Sequence, residues 1–355
     1  MRRIRVGVIG CGEAAQLLHL PALVQLASRF EVTALCDVSA TVLSGVGRVW
    51  GIERQVSDYH ELVGLDTVDA VVIANPDPWH GDAALAAIAA GKDVLVEKPM
   101  CLGPRECDEI IAAAERAGAI VQVGYMRRHV PALADAKRLL AEIGEVRFAR
   151  VHDVIGLNRD IIDQTAHVIR GDDVPREAID ATWARRGEMV ADALGPVPEG
   201  AANAYGLLLG LGSHDASAMR DLLGQPERVA HAAQRGDGMY VTATLDYGAF
   251  VCHFEIGVDE IPRYDTHIEV FGARHVLRIR WDVPYVRNLP TTLTVLEADD
   301  RGGFSERTVM PEWGDPFVEE WLAFHESVCH RMPPRTSATD FRQDLELFGA
   351  MVELM

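Results

Sequence analysis

At 355 residues the chain is long enough for two domains of ordinary size with a substantial buried core. Its 34 Lys and Arg stand against 53 Asp and Glu, a formal net charge of −19. A surface so acidic repels phosphate backbones and anionic membranes, which argues against a nucleic-acid or membrane-surface protein. No stretch approaches the ~20 apolar residues of a spanning helix. The arginines at positions 2 and 3 precede an apolar run too short for a signal segment. The six cysteines (11, 36, 101, 107, 252 and 329) show neither a CxxC pair nor zinc spacing. They read as reduced small hydrophobes of a cytoplasmic protein, with no metal site expected.

The first ~125 residues alternate β-branched runs with alanine- and leucine-rich stretches. Strands are predicted at Ile4–Ile9, Val32–Cys36, Val68–Ala74, Val94–Glu97 and Ile120–Val123. Their nearly continuous apolar character suits parallel strands covered on both faces. Helices are predicted at Ala14–Ser28 (interrupted at Pro21), Ala40–Trp50, Gly81–Ala90 and Arg105–Ala117. This order implies right-handed crossovers and a doubly wound sheet.

After Gly124 the pattern changes. A helix is predicted over Pro131–Ile143 and a strand over Val146–Ile155, then short helices and loops over 157–205. Ser213 is positioned to cap a helix running to Leu223. Strand patterns follow at Arg228–Ala233, Met239–Leu245, Ala249–Glu255, His267–Phe271, His275–Arg280 and Thr292–Glu297. They suggest a mostly antiparallel sheet with one face buried. Pro316–His330 and Thr339–Met355 read as helices, and Trp183, Trp281 and Trp313 as core. The expected organisation is residues 1–125 as one domain and 126–355 as the second.

Gly10-Cys11-Gly12-Glu13-Ala14-Ala15 is a G-x-G-x-x-A turn between a strand and a helix, the setting in which backbone approaches a pyrophosphate. Gly10 allows the tight turn, Gly12 the close approach, and Ala15 the small contact of helix with strand. Asp37 ends the next strand, where a carboxylate binds the adenosine ribose diol and repels a 2′-phosphate, so NAD is favoured over NADP. Asn75 and His80 belong to a proline-stiffened loop after a further strand, and Glu97-Lys98-Pro99 closes another. Strand C-termini are where ligands bind in such sheets. Lys98 is therefore expected beside the nicotinamide, polarising a substrate oxygen.

These residues resemble the Gfo/Idh/MocA family, named for glucose–fructose oxidoreductase and inositol dehydrogenase. The likeness takes in the glycine turn, the Asn75-Pro76…His80 loop, Glu97-Lys98-Pro99, Gly124-Tyr125-Met126-Arg127-Arg128 and the closing Pro333-Pro334-Arg335-Thr336. It implies a second α/β domain with a large open sheet that often mediates oligomers, here a homodimer or homotetramer. It implies hydride transfer on a sugar, cyclitol or related polyol. Gly210-Leu211-Gly212-Ser213-His214-Asp215 is similar to the family's D-x-G-x-H-x-x-D segment, which makes His214 the proton acceptor. Gly210 stands where the family's first Asp would be and Ser217 where its last would be, which puts the substrate class in doubt.

Arg128, Asp153 and Asp215 are candidate substrate contacts, Asp153 in preference to His152 because adjacent strand residues face opposite ways. With Ser213 as cap, His214 sits in the first helical turn, where the dipole favours a neutral ring. The alternatives are an enzyme that keeps NAD bound for net epimerisation, elimination or transhydrogenation, and a cofactor-dependent sensor without turnover.

Overall fold

The computed structural model describes residues 3–310 and 313–355. Arg2 lies outside them. Two compact units are formed. They are not the two consecutive blocks expected from the sequence. The first unit joins the residues through Tyr125 to residues 166–195 and 317–345, and the second holds Met126–Thr165, Pro196–Pro316 and the last ten residues.

The first unit is a six-stranded parallel sheet of β1 (Ile4–Ile9), β2 (Phe30–Cys36), β3 (Gln55–Val56), β4 (Ala70–Ile73), β5 (Asp93–Val96) and β6 (Val121–Val123). Its order β3-β2-β1-β4-β5-β6 reverses direction between β1 and β4, which opens a crevice at their C-terminal ends. The expected apolar runs are the central strands: Val6, Val8, Val71, Val72, Val94 and Leu95 are fully buried. β3 has only two residues, too few to leave a periodic signature.

The last stretch of this unit closes the β6 edge. Val123 N–H donates to the Thr336 carbonyl at 2.7 Å, the Thr336 hydroxyl donates to the Val123 carbonyl at 2.8 Å, and Gln122 bridges Ser337. Edge groups that would otherwise be unpaired are thereby satisfied. Trp321, on the helix Pro316–His330, is fully buried and meets Phe30 edge-to-face at 5.0 Å.

The second unit is an eight-stranded sheet of β7 (Phe148–Ile155), β8 (Arg228–Arg235), β9 (Tyr240–Asp246), β10 (Val251–Val258), β11 (Tyr264–Phe271), β12 (His275–Trp281), β13 (Thr292–Ala298) and β14 (Phe304–Val309). The order is β14-β13-β12-β11-β7-β10-β9-β8, antiparallel except where β7 meets β10. Ala149, Val151 and Ile155 alternate with Arg150, His152 and Val154, so one face is buried beneath helices. The other carries polar groups, among them Arg150, His152, Glu255 and His267, with Glu255 accepting from Arg150 at 2.8 Å and from His152 at 2.9 Å.

Three local expectations are revised. Within 157–205 lies a 19-residue helix, Arg176–Leu194, not just short pieces and loops; Val190 is its one buried residue, so it carries no apolar stripe. Trp281 is core, but Trp183 and Trp313 are exposed. Ser213 does not cap a helix. The helices Glu199–Leu207 and Ser213–Leu223 run on through a π turn at Leu208–Gly212, and the Ser213 hydroxyl donates back to the Leu209 carbonyl at 2.8 Å. His214 thus lies inside a continuous helical segment, and no free helix N-terminus acts on its ring.

Candidate functional site

In the first unit the site is built at the crevice between β1 and β4. Gly10 has φ +87°, and a Cβ there would lie 2.3 Å from the Asn75 backbone nitrogen, so the loops after β1 and β4 touch only because Gly10 has no side chain. A Cβ on Gly12 would meet nothing within 4 Å, which leaves this side of the turn open to a ligand. Ala15 is fully buried and begins a π turn, Ala15–His19. Such turns recur at functional sites because they re-aim the side chains that follow.

Asp37, just past β2, accepts from the Cys11 N–H through Oδ2 and from the Ser39 N–H through Oδ1, both at 2.8 Å. It therefore ties the glycine turn to the start of the helix Ala40–Trp50. The side-chain oxygen of Asn75 is buried without a hydrogen-bond partner. An orphaned acceptor beside an open glycine turn suits a ligand that brings donors of its own.

His80 is buried, and its ring nitrogens lie 2.7 Å from the carbonyls of Pro99 and Asn75. Lying between these two carbonyls, the ring braces the loops that follow β4 and β5. Lys98 follows β5 at the C-terminal edge of the sheet, where β1 and β4 also end.

Behind Lys98, Glu97 accepts from His19 at 2.9 Å through Oε1 and from the Lys98 N–H at 3.2 Å through Oε2. Burial alone would raise the Glu97 pKa. The His19 hydrogen bond and the Lys98 charge outweigh it and hold the carboxyl below its ordinary value. His19 escapes a reading by motif, since it lies seven positions beyond Gly12. Its signal is chemical: a buried carboxylate at a strand end requires a buried partner.

A returning stretch of chain, residues 166–195, packs on these loops. Arg185 lies over the Trp79 ring at 4.3 Å, donates to the Pro78 carbonyl at 3.0 Å and to Asp82 at 2.7 Å; Arg186 donates to Asp77 at 3.1 Å. The loop from Asn75 to His80 is thus clamped from outside by the helix Arg176–Leu194.

In the second unit Asp153 and Asp215 meet, but as partners of Arg127 rather than as open contacts. Arg127 donates to Asp215 at 2.5 Å, to Asp153 at 3.1 Å and to the Tyr264 hydroxyl at 2.8 Å, while Thr266 donates to Asp153 at 2.6 Å. Both carboxylates are fully buried and Arg127 is 1 % exposed. Burial, followed by the charge of Asp153, holds the Asp215 carboxyl well above its usual range despite Arg127. Burial also opposes the Arg127 charge, but Asp215, Tyr264 and Asp153 outweigh it and raise its pKa.

The two acids share one cation, and the cluster pins the helix that carries His214 to β7. Arg128 is also buried, bound to Ser217 and Asp221, each at 3.3 Å. Arg127, which the sequence does not single out, is the cation at the centre of the cluster. The alternation of β7, which turns Asp153 inward, was the available clue that a second buried cation must meet it. Gly210 lies in the π turn, where a Cβ would meet nothing within 4 Å; at Gly212 it would lie 2.9 Å from Ile256, so the turn approaches β10 closely there.

An open glycine turn and a strand-end carboxylate at the reversal point of a parallel sheet define a dinucleotide-binding Rossmann domain. Residues 4–125 match the family described as the oxidoreductase family, NAD-binding Rossmann fold (Gfo/Idh/MocA). The chain is 32% identical over 146 residues to inositol 2-dehydrogenase of Salmonella typhimurium, which is 40% of this chain and 43% of that protein. It is 34% identical over 144 residues to the scyllo-inositol 2-dehydrogenase (NAD(+)) of Bacillus subtilis, 41% and 42% of the two chains. These matches thus span about two-fifths of the relatives' length. The solved structure of KijD10, a 3-ketoreductase from Actinomadura kijaniata in complex with TDP-benzene and NADP, shares the fold. Its TM-score is 0.74 at 23% identity, covering 98% of this chain and 96% of that one. An oxidoreductase from Thermotoga maritima gives 0.74 at 22% identity, covering 99% and 97%.

Proposed function

We propose that the protein is an NAD(P)-dependent oxidoreductase acting on a CH–OH group or the matching ketone of a sugar, cyclitol or related polyol, with NAD as the preferred cofactor. The observation that carries this reading is the Asp37 carboxylate, held at the end of β2 against the N–H of the glycine turn. There it would receive the adenosine ribose diol. The turn from Gly10 to Ala15 would face the pyrophosphate, and the unpaired Asn75 oxygen would accept from the bound cofactor. When bound, the nicotinamide supplies the hydride acceptor or donor.

In this reading Lys98 polarises the reacting oxygen and His214 takes or returns its proton. Glu97 and His19 fix the backbone from which Lys98 extends. Asp153 and Asp215, with Arg127, hold the His214 helix in place, and Arg128 does the same through Asp221; substrate contact by these groups is left to the backbone and side chains they position. The relatives' names favour cyclitols, while Gly210 leaves room for a bulkier substrate.

The test is a panel of cyclitols, aldoses and keto-sugars read by nicotinamide absorbance, with Lys98→Met as control. A true substrate should lose turnover by roughly 10²-fold or more in that variant, while cofactor binding persists. Near-normal turnover of Lys98→Met would remove Lys98 from the chemistry. Tight ligand binding with no absorbance change on any substrate would favour a sensor.

The clamp of residues 166–195 on the cofactor loops favours a second reading, in which the nicotinamide stays bound and the net reaction is an epimerisation, elimination or transhydrogenation. Repeated turnover without added cofactor would separate it from the first. We propose further a cytoplasmic homodimer or homotetramer associating through the polar open face of the eight-stranded sheet. Six free thiols suit a reducing compartment.

A further inference from the structure

Residues 169–173 lie as a strap across the loops after β1 and β2. Gln16 pairs with Ile169 twice, its amide nitrogen donating to the Ile169 carbonyl and its oxygen accepting the Ile169 N–H, each at 2.9 Å. The same amide nitrogen lies 2.7 Å from the Cys11 carbonyl of the glycine turn. Arg170 donates to Glu13 at 2.7 Å. Gly171 lies flush on Ser39, since a Cβ there would be 2.2 Å from the Ser39 hydroxyl. Asp173 then accepts from the Ser39 hydroxyl at 2.5 Å and from the Thr41 N–H at 3.0 Å. The strap is therefore fastened by hydrogen bonds both to the glycine turn and to the residues just after Asp37.

The position of Asp173 has a chemical meaning. Ser39 and Thr41 lie two and four residues beyond Asp37, at the start of the helix Ala40–Trp50. A ribose held by Asp37 would bring its 2′ oxygen near the residues that directly follow Asp37. In an enzyme that accepts NADP, a 2′-phosphate uses hydroxyl and N–H donors of this kind. Here those donors already serve a carboxylate from a distant part of the chain. The Ser39 and Thr41 hydrogen bonds keep that carboxyl ionised, with its pKa lowered to about 2.

We propose that Asp173 is a specificity-determining residue that excludes the 2′-phosphate of NADP, by occupying the donors beside Asp37 and adding a second negative charge there. The proposal rests on Asp37 as the ribose-binding carboxylate. It assigns to a segment beyond residues 4–125, joined to the same unit, a share in the choice of cofactor.

Binding of NADH and NADPH to the protein is measured by nicotinamide fluorescence, with no substrate present, for the wild type, Asp173→Asn and Asp37→Asn. Asp173→Asn keeps the size of the side chain and removes its charge. The ratio of the NADPH to the NADH dissociation constant should fall by about tenfold, the scale of one charge near a phosphate close to a surface. NADH affinity should change by less than about threefold. Because Asp173 is exposed, the discrimination it provides should shrink as salt is raised from about 0.05 to 0.5 M. A ratio unchanged in Asp173→Asn, while Asp37→Asn abolishes the preference for NADH, would overturn the role of Asp173 and leave that of Asp37 standing. A wild type that binds NADPH more tightly than NADH would overturn both.

Discussion

The indole N–H of Trp321 donates to Nδ1 of His19 at 3.2 Å, across 302 positions of sequence. An indole nitrogen can only donate, so Nδ1 must accept, and the ring proton lies on Nε2, directed at Glu97 2.9 Å away. A chain of two hydrogen bonds thus sets the orientation of the carboxylate next to Lys98.

Replacing His19 by Leu should expose this dependence. A buried carboxylate without its partner costs about 1–3 kcal/mol or somewhat more. Because the folded-state pKa of Glu97 is lowered, its stabilising contribution is complete above the unfolded value of about 4.3 and is lost as pH falls through the folded value. Urea unfolding of wild type and His19→Leu should therefore differ most near pH 7 and converge in acid. A gap of constant size down to pH 3 would assign the loss to packing alone.

Arg127 should be the costlier member of its cluster. Arg127→Met leaves two buried carboxyl groups without their cation and should cost about 3–5 kcal/mol. Asp215→Asn should cost far less, about 1 kcal/mol, because burial and Asp153 already favour the neutral form of that side chain. Equal shifts in the urea midpoint for the two variants would contradict the shared-cation account.

Glu106 supplies the opposite pH dependence. Its side chain lies over Gly81 and accepts from the Leu102 N–H, with Asp82, Arg185 and Glu109 as neighbouring charges. Burial, aided by the acidic neighbours, raises its pKa to about 7. Folding then binds a proton more tightly than the unfolded chain does, so the associated stability is full below about pH 4.3 and is lost as pH rises through about 7. Glu106→Gln should stabilise the protein at pH 8 by roughly 1–2 kcal/mol, allowing for screening of a partly exposed group, and have little effect at pH 4. Thermal unfolding at the two pH values reads this directly; a stabilisation equal at both would refute it.

His214→Ala should abolish proton-coupled turnover and spare cofactor binding. At Gly210 the open space around a Cβ means that Gly210→Ala folds without strain and gains about 0.5–1 kcal/mol of helix propensity. Gly210→Asp should also fold but should not improve the natural reaction, since its carboxylate would take up substrate space. Faster turnover in Gly210→Asp would identify the site as an ordinary polyol site that has lost its aspartate.

The parts legible in the sequence are those written in local pattern. Apolar runs marked β1, β2, β4, β5 and β6, the glycine turn announced itself by spacing, and alternation turned Asp153 inward. What escaped depends on pairing at a distance. The helix Arg176–Leu194 has no apolar stripe because it packs through arginines on a proline loop. His19 and Arg127 gain their meaning from Glu97, Asp153 and Asp215, far away in sequence. The π turn at Leu208–Gly212 replaced the cap expected at Ser213 because the hydroxyl found a carbonyl four residues back.

The unit that begins the chain is finished by residues near its end. During synthesis residues 1–125 leave the ribosome with the β6 edge unpaired and the Phe30 and His19 rings bare, until residues 317–345 follow them out. The nascent nucleotide-binding sheet must wait for roughly two hundred further codons before its cover arrives, an interval in which an exposed strand edge invites misassembly. A premature stop near codon 310 would therefore do its damage far upstream, by withholding Trp321 and Thr336 from a sheet encoded some 200 to 300 codons earlier.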